Sequence, residues 1–190
     1  MVSSPSLNPS PYRVRSAAPE DLHQLADILT SSFYPPTGWR QWAYPLLRLS
    51  IYEDLKQRLR TAPNHYACLA VVNGTAPKAS HDWLVGTVEM SSRRYPFWMN
   101  RRSRHVYLAN LAVRTSARRQ GVARHLLTAC EQTARSWGFR ELYLHVMEDN
   151  ARAQRVYQQA GFQVYQTEDT LLSFMGIQPR RLLMRKILQT

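Results

Sequence analysis

Apolar positions along this chain switch between a period of two and a period near 3.6, and the switches predict an alternating order of strands and helices. A short strand is expected over 12–15, after which Pro19, Glu20 and Asp21 open a helix with Leu22, Leu25, Ala26 and Leu29 on one face. Pro35, Pro36 and Gly38 break that helix. A second helical stretch follows over 46–59, with Pro45 at its start or at a kink. Residues 66–72 and 84–90 read as strands around a polar loop containing Gly74 and Pro77, which predicts a hairpin. A strand is expected over 106–113, a helix over 122–137 closed by Gly138, and a strand over 141–147. Asn150 is placed to cap a helix running to 160 and closed by Gly161, and strands over 162–167 and 182–187 complete a mixed sheet. The class is therefore α/β.

Composition narrows this picture. The 190 residues suit a disordered leader over 1–11, where seven residues are Ser or Pro, and a single domain over 12–190. A chain of this length buries roughly 70% of the surface its unfolded form exposes, so no disulfide or metal staple is required. No apolar run approaches the length of a membrane span, and the N-terminus lacks the apolar stretch of a secretory signal. Cys68 and Cys130 have no partners at metal-ligand spacing, which predicts no metal and a reducing compartment. The cytoplasm is the default, or the plastid stroma if the leader is the remnant of a trimmed transit peptide.

Charge changes the picture more. The formal net charge is +12, and between Glu89 and Glu131 nine arginines occur without one acidic residue. A second basic cluster, Arg180, Arg181, Arg185 and Lys186, lies near the C-terminus. Such a balance suits a polyphosphate ligand, nucleic acid or a ribosomal surface, or serves only to keep the protein soluble. The segment 91–104, with Tyr95, Phe97 and Trp98 among its arginines, reads as a long loop or an interrupted strand. Its interleaved aromatics also fit a module that binds nucleic acid.

The sharpest chemistry lies where the 106–113 strand feeds the turn Arg118-Arg119-Gln120-Gly121 and then a helix from Val122. Backbone N–H groups converge at such a helix start, the helix dipole is favourable, and arginines add charge. This turn is a candidate anion site. Downstream, Asn150, Ala153, Tyr157, Gly161 and Phe162 follow at the spacing N-x-x-A-x-x-x-Y-x-x-x-G-F. Together with Tyr107, Leu111, Ala112, Val113, Arg118, Gly121 and Ala123, they resemble the acetyl-CoA signature of the GNAT N-acetyltransferases.

The resemblance implies a mostly antiparallel mixed sheet of six to seven strands flanked by about four helices. It implies acetyl-CoA as substrate and no metal. The pyrophosphate would lie on the amides of Gln120, Gly121, Val122 and Ala123, with Arg118 and Arg119 balancing charge. The pantetheine arm would run beside Leu111, Ala112 and Val113, and Asn150 and Ala153 would complete the coenzyme wall. Tyr157 would protonate the departing thiolate.

A nucleophilic amine must be neutral, so the site needs a proton acceptor, and histidine has a suitable unperturbed pKa. Strand alternation puts His145 and Tyr143 on the face opposite Leu142, Leu144 and Val146. The run from Tyr143 to Asn150 is similar to one branch of the N-terminal protein acetyltransferases. In that branch the equivalents of His145 and Tyr107 hold a water that removes the amine proton. A free α-amine titrates near about 7.7–8.0 and a lysine near about 10.4, a difference of roughly 3.4 kcal/mol in the supply of neutral amine. A histidine base therefore suits an α-amine best.

Phe33 and Tyr34 resemble the aromatic loop that flanks the acceptor in that group, whereas residues 169–174 lack the paired tyrosines expected near the last strands. The whole chain is most similar to GNAT enzymes of cyanobacteria and plastids. Three functions stay open at this stage: a protein N-terminal acetyltransferase that also accepts lysine, a small-amine (arylalkylamine or polyamine) acetyltransferase with an aromatic pocket around Phe33, Tyr34 and Trp39, and a non-enzymatic nucleic-acid module. Neither the oligomeric state nor the acceptor follows from the sequence.

Overall fold

Both faces of one seven-stranded sheet are covered by helices. A computed structural model describes residues 10–34, 40–94, 104–169, 173, 175 and 177–189. Strands β1 (Tyr12–Ser16), β2 (Tyr66–Asn73), β3 (Leu84–Arg94), β4 (Arg104–Val113), β5 (Glu141–Met147), β6 (Gln163–Glu168) and β7 (Arg181–Ile187) lie in the order β1-β2-β3-β4-β5-β7-β6. Every neighbouring pair is antiparallel except β4 and β5. The helices are α1 (Leu22–Phe33), α2 (Arg40–Arg60), α3 (Val122–Ser136) and α4 (Ala151–Gln159). The expected mixed, mostly antiparallel sheet with about four helices is thus found.

Strand alternation divides the core into two layers. Leu69, Val71, Val88, Met90, Val106, Leu108, Leu142 and Leu144 face Leu126, Leu127, Cys130 and Ala134 of α3 and Tyr157 of α4. On the other face, Cys68, Ala70, Leu84 and Ala112 meet Leu22, Leu25, Ala26, Ile28 and Leu29 of α1 and Leu55 of α2. Each such leucine contributes about 1.5–3 kcal/mol by leaving water. Arg15 on β1 fixes the start of α1 through two bonds to the buried Asp21, at 2.5 and 2.8 Å.

Several boundaries differ from expectation. Helix α2 begins at Arg40, so Pro45 lies inside it; near a helix start the missing N–H costs a single bond, and the remaining turns carry the element. Residues 91–94, expected in a loop or interrupted strand, continue β3, and Arg94 pairs with Arg104 at the start of β4. Their outward charges hide the strand period. A 3₁₀ turn, Pro19–Asp21, precedes α1. Phe162 packs into the core just ahead of β6 rather than opening it. Residues 1–9 of the expected leader, 35–39 with Trp39, and 95–103 with Tyr95, Phe97 and Trp98 lie outside the described residues.

Two local features shape the site. In β4, Asn110 and Leu111 oppose Val88 alone, a β-bulge in which Asn110 takes φ 54°. Asparagine tolerates that left-handed conformation better than most residues. Its Nδ2 donates to the buried Glu89 carboxylate at 2.6 Å, which also accepts from Tyr66 and from Arg58, each at 2.8 Å. Past the bulge, β4 leaves β5: the parallel pairing stops at Leu108 with Leu144, and a gap opens between the strands.

Candidate active site

That gap leaves the β5-facing edge of β4 open to ligands. Leu111, Ala112 and Val113 form one wall of a groove of about 1280 Å³. The turn ahead of α3 forms another, with Arg118, Arg119, Gly121, Val122 and Ala123, and α4 supplies a third through Asn150, Ala153 and Tyr157. Eleven of the twelve residues expected to bind the coenzyme therefore line one groove, Gln120 excepted.

The turn is built for an anion. Gly121 caps α3 with φ 80°, and Arg119 is also left-handed at φ 64°. The N–H of His125 is the first to bond back to the turn, to the Gly121 carbonyl at 3.1 Å. The N–H groups of the helix's opening residues have no acceptor within the helix and point out of its end. A Cβ added at Gly121 meets no protein atom within 4 Å, so the glycine is required by its backbone angle and leaves the mouth of the turn clear. Arg118 Nε donates to the Val113 carbonyl at 3.0 Å, tying the turn to β4. The side chain of Gln120 faces away, accepting from the Tyr12 hydroxyl and donating to the Ser116 carbonyl at 2.9 Å. What Gln120 can offer a ligand is its backbone.

Asn150 caps α4 as expected, its Oδ1 accepting from the Ala153 N–H at 3.1 Å. Exposed Arg124 of α3 and Arg152 and Arg155 of α4 join Arg118 and Arg119 around the groove. Sequence reasoning did not place these three in the site; their signal was only their position one turn inside the two helices. Tyr157 lies at the inner end, and burial, aided by the nearby Tyr107, pushes its phenol up to about 12. It therefore stays protonated and able to donate near neutral pH. The N-terminal end of α3 is held close to the sheet at Gly86, where a Cβ would stand 2.9 Å from Val122 Cγ1 and 3.2 Å from the Ala112 carbonyl oxygen.

Across the sheet lies a second cluster. The Tyr107 hydroxyl of β4 is 2.7 Å from His145 Nδ1 of β5, and His145 Nε2 is 3.0 Å from Glu168 Oε2 of β6. The structure thus brings Tyr107 and His145 together as the sequence anticipated. Burial holds the His145 imidazole below its usual pKa, Arg181 and Arg93 lower it further, and Glu168 opposes them. Burial raises the Tyr107 phenol, against Arg93 and Arg181. The Arg93 guanidinium carbon lies 3.9 Å from the centre of the Tyr107 ring. Glu168 and Arg93 were missed. Only the strand order and register reveal them, because β6 and β3 lie far from β5 in sequence.

Of the two residues expected to meet the acceptor, Phe33 lines the groove, whereas the half-exposed Tyr34 ends α1 outside it. Residues 170–172 and 174 of the expected final hairpin lie outside the described residues. The basic clusters do not form one free surface. Arg114 is buried against the Leu84 carbonyl at 2.7 Å, Arg180 pairs with Glu148 at 2.7 Å, and Lys186 pairs with Glu131 at 2.5 Å. No group of three or more potential metal ligands occurs among the described residues, and no helix among them is long and apolar enough to cross a membrane.

Comparison with known proteins agrees with this geometry. Residues 22–162 match the model of the acetyltransferase (GNAT) family. GCN5-related N-acetyltransferase 10, chloroplastic, of Arabidopsis thaliana is 27% identical over 177 residues, covering 88% of this chain and 68% of that relative. The chain spans 60% and 54% of the length of two further chloroplastic Arabidopsis members. Among solved structures, Arabidopsis thaliana NAA60 bound to a bisubstrate analogue superposes with a TM-score of 0.70 at 19% identity, over 94% of this chain and 98% of that one. NAA60 has also been solved with acetyl-CoA. The ribosomal-protein-S18-alanine N-acetyltransferase of Escherichia coli gives 0.63 at 15% identity, over 94% and 95%. A Vibrio cholerae–human spermidine N-acetyltransferase chimera gives 0.64 at 18%, over 94% and 96%.

Proposed function

This chain belongs to the acetyltransferase (GNAT) family and is an N-acetyltransferase, and we propose that it moves the acetyl group of acetyl-CoA onto a protein N-terminal α-amine, with lysine as a lesser acceptor. The observation that carries this reading is the Tyr107–His145 contact of 2.7 Å, set beside the β4 edge that borders the groove.

In this reading, the opening N–H groups of α3 hold the pyrophosphate while Arg118, Arg119, Arg124, Arg152 and Arg155 balance its charge. The free edge at Leu111, Ala112 and Val113 bonds the pantetheine arm and supports the thioester oxygen as charge develops on it. The amine nitrogen attacks the thioester carbon, forming the C–N bond, and the C–S bond then breaks. Tyr107 and His145, through a water, take the proton the amine loses, and Tyr157 gives one to the thiolate. Acetylated amine and free coenzyme A leave.

The acceptor class follows from the strength of the base. Burial and two arginines keep His145 a weak base, suited to an amine already partly neutral near pH 7. A lysine, or an alkylamine of similar pKa, would demand a stronger base or desolvation of its own. The arginines around the groove have a role in coenzyme binding, which makes a nucleic-acid module unnecessary to explain the charge. Residues 12–190 would act as one catalytic domain. The chloroplastic relatives favour the plastid stroma, with the cytosol as the alternative.

A product-mass assay with acetyl-CoA tests the acceptor. A free-N-terminus peptide, an N-blocked lysine peptide, serotonin and spermidine compete in one reaction, and the free N-terminus is expected to lead. Acetylation of serotonin or spermidine alone would replace this reading with a small-amine enzyme.

A further inference from the structure

We propose that Glu168 is a positioning residue that sets the tautomer of His145, so that the Tyr107 hydroxyl donates to Nδ1 and the phenol oxygen is the atom through which the acceptor's proton enters the base. The inference rests on the assignment of Tyr107 and His145 as that base.

The argument starts from what a carboxylate can do. An ionised carboxylate only accepts hydrogen bonds. With Glu168 Oε2 3.0 Å from Nε2, the imidazole hydrogen belongs on Nε2. Nδ1 then carries the lone pair, and the contact of 2.7 Å has the Tyr107 hydroxyl as donor. The opposite tautomer would aim the Nε2 lone pair at a negative oxygen. Proton flow gains one direction: an incoming proton reaches the phenol oxygen as the phenol's own proton passes to Nδ1. His145 becomes an imidazolium held between the phenol oxygen and the carboxylate. No bond other than O–H and N–H changes, and the charge gained by the ring is balanced by Glu168. An Asp or Glu that orients and supports a catalytic histidine is a recurrent solution on unrelated folds.

Position makes the role specific. Glu168 comes from the edge strand β6, two strands from β5 in the sheet. His145 lies opposite Leu183 of β7, Leu183 opposite Gln166, and Glu168 two residues farther along β6 opposite Arg181. The carboxylate therefore reaches diagonally over an apolar residue. The groups that act on the ring come from four strands: Arg93 of β3, Tyr107 of β4, Glu168 of β6 and Arg181 of β7. Two of them are cations, and Glu168 is the acid that opposes them.

The test uses the full chain with acetyl-CoA and a free-N-terminus peptide, following kcat/KM from acid to neutral pH for the wild type, Glu168→Gln and His145→Ala. Glutamine keeps the size and removes the charge. The expected result for Glu168→Gln is a loss of about 10–10²-fold at neutral pH, with the acid limb displaced to lower pH because the imidazolium has lost its partner. The ring nitrogen NMR signals should change from the Nε2–H form to a tautomer mixture, while the acetyl-CoA Kd stays within twofold. Glu168→Gln within threefold of wild type overturns the proposal. So does a loss with an unmoved limb and an unchanged tautomer. His145→Ala separates the two layers: a loss below threefold overturns the base assignment itself, whereas a large loss beside a silent Glu168→Gln overturns only the role of Glu168.

Discussion

The two sides of the β4–β5 gap are built from different parts of the polypeptide. On the groove side, the recognition elements are largely backbone: the first N–H groups of α3, the free edge of β4 and a left-handed glycine. On the opposite side they are side chains, Tyr107, His145 and Glu168, drawn from three strands and aligned by register. A backbone site depends on conformation and tolerates changes of side chain wherever the angles permit. A side-chain site depends on identity, since one methyl more or one charge less alters the chemistry directly. The two halves should therefore fail differently.

The largest separation is expected from His145→Ala, which should lower kcat by about 10²–10⁴ while acetyl-CoA binds as before. Steady-state rates beside a direct coenzyme titration give both quantities, and a matching loss of coenzyme affinity would erase the contrast. Gly121→Val should do the reverse. Valine at φ 80° is strained and its side chain projects into the open mouth of the turn, so the Kd for acetyl-CoA should rise by about 10–100-fold with kcat at saturation retained to within a few-fold. An unaltered Kd would mean the pyrophosphate is held elsewhere.

Smaller effects sharpen the comparison. Asn150→Ala removes the cap bond to Ala153 and should cost about 1 kcal/mol, lowering Tm by about 2–4 °C without moving the pH profile. Arg93→Ala should move the profile without lowering Tm. Arg93 lowers the His145 pKa, so its removal raises that pKa, and the acid limb of kcat/KM should climb by a few tenths of a pH unit. A limb that falls instead would reverse the sign of that interaction.

The same division explains what was legible in the sequence. Backbone sites carry short, contiguous signatures, because turn, cap and helix start are neighbours along the chain; Arg118 to Ala123 and Asn150 to Phe162 could be read as they stand. His145 and Tyr107 could be paired only through a family resemblance. Glu168 could not be found, since its partnership depends on β7 lying between β5 and β6 and on a diagonal register. The same holds for the bulge at Asn110, whose support comes from Glu89 on a neighbouring strand and from Tyr66 and Arg58 behind it. The start of α2 and the end of β3 were misjudged for a local reason: a tolerated proline and a charged outer face obscured the hydrophobic period.

Gly86 lies on β3, away from the turn whose position it governs. With 2.9 Å between the place of its missing Cβ and Val122 Cγ1, the layer separating sheet from helix has no slack there. It works as a spacer whose thickness is set at zero side-chain atoms. Any larger residue would lift the first turn of α3 and re-aim every amide in it by the same displacement. Coenzyme affinity can therefore be retuned from a site that never meets the coenzyme, and a laboratory or an evolving lineage seeking a different phosphate grip has a dial on the far side of the helix.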